Sequence, residues 1–388
     1  MPSDPNHPEK IEHLYEFNVP AGQKPDRIDA FITRSIEHAT RTRVQKAIER
    51  GAVLVNDKPT RANYRIRPGD KIQVTVYKQP PLQLVPENIP IKVIYEDEHL
   101  IVIDKAAGMA VHPGFGNRYG TLVNAMLWHV GYRDPIDVLK RRESWGTEDE
   151  EGEEIEEVGD GDQEDDEEVA VLDELGPGDE DLMMSPQIRP GIVHRLDKDT
   201  SGLIVIGKDY RTTLYLSRQF AARTVSRQYV ALTWGVIKDD HRLIEQNIDR
   251  SSRDRRLMTV VARGGKYAAT EVNVVERYDC ATLITCTLRT GRTHQIRVHL
   301  SSIQHPILGD PDYGGRESAL NGVHHLYRLT AKRALNVIHR QALHARTLGF
   351  THPVTHSPMQ FTSDLPSDLL AAVHELRPSD APGDLPFR

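Results

Sequence analysis

The sequence predicts an α+β chain: a large domain on a mixed, largely antiparallel central sheet with flanking helices, behind a small α/β module at the N-terminus. Three observations carry this. Beyond residue 91, strand-like apolar runs outnumber helical stripes and do not alternate with them as in a doubly wound sheet. Near the start, a short segment has its own helix, helix, strand, turn, strand pattern. Between the two, Pro80, Pro81, Pro86 and Pro90 mark a stiff extended linker. The expected boundaries are an N-terminal tail over 1–23, the module over 24–78, the linker over 79–90, the large domain over 91–365 and a C-terminal tail over 366–388.

Of the 388 residues 38 % are apolar, enough for a sizeable core. No run approaches the roughly 20 apolar residues of a membrane helix, and Met1 to Leu14 lacks the apolar centre of a signal peptide. The expectation is a soluble, cytoplasmic monomer without membrane contact. Cys280 and Cys286 fall in one apparent strand and are expected as buried thiols in a reducing compartment.

The net charge of −8 hides an uneven distribution. From Glu148 to Asp181 there are 20 Asp or Glu and no Lys or Arg, so the rest carries 49 basic against 37 acidic residues, a net of +12. A basic body of that size points to a nucleic acid or another polyanion. The acidic insertion, taken as 145–185, has no helical apolar stripe and is expected to be a disordered, solvated loop. A sharper alternative makes it a mimic of RNA that occupies the basic surface when RNA is absent.

In the module, Ile28, Phe31, Ile32 and Ile36 recur at helical spacing, and Thr42 is a candidate cap for a second helix that carries Val44 and Ile48 and ends near Gly51. Val53 to Val55 reads as a strand, Asn56 to Pro59 and Pro68 to Asp70 as turns, and Ile72, Val74 and Val76 as a last strand. Lys24 to Val76 holds 12 Lys or Arg against 6 Asp or Glu. Arg43, Lys46 and Arg50 share one helical face and are the candidate RNA contacts there. This segment, with Thr-Arg-Thr-Arg-Val-Gln-Lys-Ala-Ile, Gly-Ala-Val-Leu-Val-Asn and Arg-Pro-Gly-Asp-Lys-Ile, resembles the small RNA-binding domain named after ribosomal protein S-four. The resemblance implies a grip on structured RNA through phosphates and shape.

In the large domain, strands are expected at Val93 to Tyr95, Leu100 to Ile103, Ile192 and Val193, Leu203 to Ile206, Tyr229 to Thr233, Glu271 to Val275 and Ala281 to Leu288. Gly-Ile-Val-His-Arg-Leu-Asp-Lys-Asp-Thr-Ser-Gly, from Gly191, places Asp197 in a polar turn between two of them. Strands hold such a turn rigidly while it stays accessible, which suits a reacting group, although an Asp in a turn is also an ordinary cap. Downstream, Thr-Leu-Arg-Thr-Gly-Arg-Thr-His-Gln-Ile-Arg-Val-His-Leu reads as a strand end, a glycine turn and a helix. Thr293 is its candidate N-cap, Ile296, Leu300 and Ile303 its buried stripe, and Arg292 a cation at the turn able to pair with a carboxylate. A third segment, Val225 to Gly235, is a strand carrying Tyr229.

These three segments, in this order and spacing, resemble the RluA family of RNA pseudouridine synthases over about residues 24 to 362. His-Arg-Leu-Asp with Thr-Ser-Gly and Thr-Gly-Arg-Thr-His-Gln-Ile-Arg-Val-His are the most specific matches. His-Pro-Ile-Leu-Gly-Asp-Pro-Asp-Tyr-Gly-Gly from His305 is another. Ala106 stands where the family commonly has proline, and the acidic insertion is also a departure. The resemblance implies the pseudouridine synthase fold, with Asp197 as the catalytic aspartate, Tyr229 as the active-site tyrosine and Arg292 as the cleft arginine.

An ionised carboxylate can attack C1′ of uridine or take the C2′ proton. Arg292 would hold it charged, and Tyr229 would stack on the uracil and help remove the C5 proton. Arg195 and Arg297 are candidate RNA contacts. His194 and His294 are expected to orient or hydrogen-bond rather than bind metal, and neither a cofactor nor a metal is expected. The preferred target is large-subunit ribosomal RNA, with transfer RNA as the alternative. Two other classes compete: a non-catalytic RNA-binding assembly factor, and a magnesium-dependent phosphotransferase using Asp197 and Asp199.

Overall fold

A computed structural model describes residues 11–36, 39–78, 83–114, 117–137 and 191–377, which fall into two units divided between Gln83 and Leu84. The acidic insertion and the outer parts of both tails lie outside these residues.

The first unit is a four-stranded sheet, β1 (Ile11–Asn18), β2 (Val53–Val55), β3 (Lys58–Pro59) and β4 (Lys71–Lys78), in the order β1-β4-β2-β3. Helices α1 (Ile28–Ser35) and α2 (Arg41–Glu49) bury Ile28, Ile32, Val44 and Ile48 with the sheet's Val53, Val55, Ile72 and Val74. Asn56 and Asp57 both take positive φ (49° and 61°), the backbone of a tight hairpin between β2 and β3. Two expectations change here. Ile11 to Asn18 is not tail: it pairs antiparallel with β4 over its whole length, and Tyr15 and Phe17 pack on the core. The cap of α2 is Thr40, whose hydroxyl accepts the Arg43 amide, so Thr42 lies inside the helix. Asp29, fully buried, draws Arg27, Arg41 and Gln45 around it and thereby ties α1 to α2.

The second unit continues with β5 (Gln83–Leu84), which straddles the division, then β6 (Lys92–Glu96), β7 (Leu100–Lys105), α3 (Leu122–His129), β8 (Ile136–Asp137), β9 (Ser201–Gly207), α4 (Tyr210–Ala221) and β10 (Ser226–Trp234). It is completed by β11 (His241–Arg250), β12 (Met258–Val261), β13 (Lys266–Arg277), β14 (Ala281–Leu288), α5 (Gln295–Ser302), α6 (Arg328–Val337), β15 (Leu343–Thr351), β16 (Pro358–Thr362) and α7 (Ser367–Leu376). Its main sheet runs β12-β11-β13-β14-β10-β15-β9-β7-β6, with β16 on β15. Among the described pairs of that sheet only β15 with β9 is parallel, so the mixed, largely antiparallel expectation holds.

Two boundaries move. Residues 84–90 are not free linker: Leu84 is buried, Val85 accepts the Asn124 side-chain amide and Glu87 accepts the Gly120 amide. Residues 367–376 are not tail, because Leu369, Ala372, Val373 and Leu376 form a helical stripe buried in the main core. That core also takes Leu232, Leu283 and Ile284 from the sheet with Ile296 and Leu300 from α5.

At the single parallel pairing, Gly202 lies opposite Ala345 with φ +118°, and a Cβ there would stand 2.2 Å from the Ala345 carbonyl oxygen. Gly202→Ala is therefore expected to cost about 3 kcal/mol through strain and forced strand separation. Thermal unfolding followed by circular dichroism should show a fall of roughly 5–10 °C. An unchanged midpoint would contradict this account of the β9–β15 contact.

Candidate active site

Asp197 opens a turn closed by the Thr200 amide on its own carbonyl (3.0 Å), directly before β9. Three buried side chains fix this turn. Lys105, 1 % exposed at the end of β7, donates from Nζ to the carbonyls of Ala106 (2.9 Å), Met109 (2.8 Å) and Lys198 (3.0 Å). Burial pulls this ammonium down to about 7, and the nearby charges of Asp197 and Asp199 oppose that. Arg340 donates to the Asp199 carbonyl (3.1 Å) while gripping Asp368 with two bonds, and Gln341 donates to the Thr200 hydroxyl. His194 accepts the Val205 amide at Nε2 (3.0 Å) and stacks on Phe220, and burial lowers its pKa to about 3. It is a neutral hydrogen-bonding group.

The partner of the Asp197 carboxylate is Arg297. Its Nη1 donates to Oδ2 at 3.2 Å. The rest of the guanidinium is taken up by Asp310, through Nε (2.7 Å) and Nη2 (2.9 Å), and by Asp312, through Nη2 (2.6 Å). Asp310 is itself fully buried and also accepts the amides of Asp312 and Tyr313, and the Tyr313 ring lies 4.8 Å from the guanidinium carbon. Burial works against the arginine's charge, but Asp310, Asp197 and Asp312 outweigh it and raise its pKa. A cation in the first turn of α5 opposes the helix dipole, which these three carboxylates offset.

Sequence reasoning placed these arginines the other way round. Arg297 was expected to contact RNA, yet its side chain is 4 % exposed and committed to carboxylates. Arg292 was expected to hold Asp197, but its Nε points to the Tyr267 carbonyl (3.3 Å). The cause lies in how α5 begins. Thr293 is not the cap: His294 is, in a left-handed conformation (φ 53°, ψ 17°) that costs a non-glycine residue about 1 kcal/mol. Gln295 then reaches back to accept the Thr290 hydroxyl and the Arg292 amide, folding the turn so that position 297 meets the aspartate.

His294 is the second neighbour of the carboxylate, with Nε2 4.0 Å from Oδ1. Tyr229 is buried in β10 beside a register shift against β15, a kink able to re-aim a side chain. Burial raises the phenol's pKa and the Asp197 charge raises it further, against an opposing pull from Arg227. Arg195, half-buried, acts on Asp197 through its charge. Arg43 and Lys46 are exposed on α2 of the first unit, and Arg50 is exposed at its C-cap. The residues that sequence reasoning did not single out are Lys105, Arg340, Asp310, Asp312 and Tyr313. The last three stood in the Gly-Asp-Pro-Asp-Tyr segment, whose density of ionisable groups was the available signal.

Burial alone would raise the Asp197 pKa, yet the electrostatic pull of His294, Arg297 and Arg195 and the Arg297 hydrogen bond lower it below the usual carboxylate value. The group is thus ionised at neutral pH. Its stabilising contribution is present above the unfolded value of about 3.9 and is lost as pH falls through the lower folded value. A reaction that needs this carboxylate charged is expected to show no acid limb from it between about pH 5 and 7. Arg297→Gln removes one lowering cause and should move the limb upward in a pH–rate profile; a limb already near pH 6 in the wild type would contradict this electrostatic account.

Among the described residues no three His, Cys, Asp or Glu side chains gather as a metal site. The arrangement offers a charged, oriented nucleophile or base, one-fifth exposed, beside a buried phenol and an imidazole.

Residues 184–302 match the family described as RNA pseudouridylate synthase, and residues 26–72 match the S4 domain. A protein of Chlorobaculum parvum named as an uncharacterized RNA pseudouridine synthase is 42 % identical, covering 93 % of this chain and 97 % of its own length. The ribosomal large subunit pseudouridine synthase D of Xanthomonas campestris is 35 % identical, covering 95 % of this chain and 94 % of that protein. Among solved structures, human RNA pseudouridylate synthase domain containing 1 aligns with a TM-score of 0.45 at 20 % identity, covering 71 % of this chain and 84 % of that one.

Proposed function

Since the chain belongs to the RNA pseudouridine synthase family, we propose that it isomerises uridine in structured large-subunit ribosomal RNA, with Asp197 as the reacting carboxylate and no cofactor. The observation that carries the assignment is the carboxylate itself, kept ionised and oriented by Arg297 within reach of His294. Substrate and product are isomers, so no electrons or groups need to come from outside. The C1′ to N1 bond breaks, the uracil turns, C5 joins C1′, the C5 proton leaves and N1 takes up a proton.

Asp197 either attacks C1′ or takes the C2′ proton. An ionised aspartate suits both. Tyr229, buried beside it, is the surface against which the uracil stacks and the group that assists removal of the C5 proton. The target uridine has to leave its stack, at a cost of a few kcal/mol, which phosphate contacts by the basic body offset. Arg195 contributes contacts near the site, and Arg43, Lys46 and Arg50 grip RNA on the first unit. A monomer in the cytoplasm completes the proposal, and the two free, buried thiols of Cys280 and Cys286 suit a reducing compartment.

The preference for large-subunit RNA rests on the S4 match and on a near full-length relative named for that subunit. Its test is a pseudouridine map of ribosomal and transfer RNA from cells with and without the gene. Loss at one or a few large-subunit positions is expected; loss confined to transfer RNA would contradict the target. Replacing Arg43, Lys46 and Arg50 together by Ala is expected to weaken RNA binding about 10-fold near 0.1 M salt and to reduce the salt slope by roughly 3. A titration over a salt series reads both, and an unchanged slope would remove these residues from the interface.

A further inference from the structure

Arg297 engages one oxygen of Asp197, Oδ2. The other, Oδ1, faces His294 Nε2 across 4.0 Å, a gap longer than a hydrogen bond. The imidazole is held there from both ends. Its backbone is fixed in the left-handed conformation at the start of α5, and its Nδ1 lies 2.8 Å from the Tyr313 hydroxyl. That hydroxyl accepts the Met258 amide (2.9 Å), which leaves its own hydrogen available to Nδ1; in the tautomer that uses it, as in the imidazolium, Nε2 carries a ring hydrogen toward the carboxylate. The His294 side chain is 11 % exposed and that of Asp197 20 %, so both face the same narrow opening to solvent only in part.

Stereochemistry says which part of the substrate that is. In a β-nucleoside the base and the 2′-hydroxyl lie on opposite faces of the ribose. A carboxylate that displaces the base from the far side therefore arrives on the 2′-hydroxyl's face. One that takes the C2′ hydrogen works on the carbon bearing that hydroxyl. On either route the hydroxyl oxygen is two bonds from the atom that the carboxylate meets.

We propose that Nε2 of His294 donates to the ribose 2′-hydroxyl of the target uridine, making this residue the one that selects RNA over DNA at the reacting nucleotide. The proposal rests on the assignment of Asp197 above. No covalent step involves His294: it contacts the sugar while Asp197 reacts. The 2′-hydroxyl is the group by which RNA differs from DNA at a given position, and a buried donor left unmatched by its loss produces discrimination.

The experiment uses two stem-loop oligoribonucleotides carrying the mapped target uridine, identical except that one has 2′-deoxyuridine at that position. Wild-type protein is expected to convert the deoxy substrate at least about 10-fold more slowly, in kcat/KM. His294→Ala is expected to lose a similar factor on the all-ribose substrate and to treat the two within about 2-fold of each other. His294→Gln, which retains an N–H donor, should recover part of the preference. A purely structural role for His294 would slow both substrates equally and keep the ratio, which would overturn the proposal.

Where His294→Ala folds poorly, Tyr313→Phe keeps the ring and removes the hydroxyl that fixes the imidazole. It is expected to cut the preference at least about 3-fold, and full preference in that variant also overturns the proposal. Wild-type protein that modifies both substrates equally overturns the 2′-hydroxyl contact alone. Wild-type protein that modifies neither overturns the functional reading and the contact with it.

Discussion

Asp197→Asn is expected to lower pseudouridine formation by at least about 10⁴-fold while leaving the fold and the RNA affinity nearly unchanged. The amide has the carboxylate's shape and still offers an oxygen to Arg297 Nη1, but it neither attacks carbon nor accepts a proton at useful rates. The surroundings tolerate the change because Arg297 keeps two other carboxylates, Asp310 and Asp312. Chromatography of nucleosides from digested ribosomal RNA reads the product, thermal unfolding reads the fold, and filter binding reads affinity. A variant that retains a tenth of the activity would remove Asp197 from the chemistry.

The second large effect concerns which arginine serves that aspartate. Arg297→Lys keeps a positive charge, but a lysine cannot span Asp197, Asp310 and Asp312 with the fixed fork of a guanidinium. A loss of about 10²–10³-fold in kcat with little change in KM is expected, since the charge and aim of the reacting carboxylate are affected and not the RNA grip. Arg297→Met should in addition destabilise the protein by about 3–5 kcal/mol, because it strands the fully buried Asp310 without a cation. Arg292→Lys, at a half-buried position whose Nε meets a backbone carbonyl, is expected to stay within about 10-fold of wild type. Steady-state kinetics on one RNA for all three proteins decides it, and the opposite ranking of Arg292 and Arg297 would contradict the site as described.

Much of the fold was legible because its elements follow simple periods. The strands at 100–105, 203–206, 229–233 and 281–288, the stripes of α1 and α2, and the hairpin at Asn56 and Asp57 all carry apolar repeats or turn residues that local physics interprets. Strands β11, β12 and β15 were not legible. His241 to Arg250 holds few apolar residues, and its place in the sheet comes from pairing with β12 and β13. Ile11 to Asn18 was missed because its apolar residues, Ile11, Leu14, Tyr15 and Phe17, do not keep a strict alternation, and its place comes from pairing with β4. The helix at 367–376 has a readable stripe in Leu369, Ala372, Val373 and Leu376, yet it falls within the stretch expected as tail.

In the candidate site the sequence marked Asp197, Tyr229 and the segment from Thr287 to Leu300, yet as the partner of the carboxylate it chose Arg292 over Arg297. Spacing along a strand-turn-helix cannot say which of two arginines faces inward when the turn is set by a left-handed histidine and a glutamine reaching backward. Those are tertiary facts. The same holds for Lys105, whose three carbonyl partners come from two separated stretches of chain.

The central claim is that Asp197, held charged by Arg297, is the group that starts the isomerisation. The most direct measurement is release of tritium from ribosomal RNA labelled at uracil C5, since that hydrogen leaves only when the base has been cut from C1′ and rejoined through C5. Wild-type protein is expected to release one equivalent per target site, and Asp197→Asn, with unchanged unfolding temperature and RNA affinity, none above background. Equal release by both proteins would contradict the account.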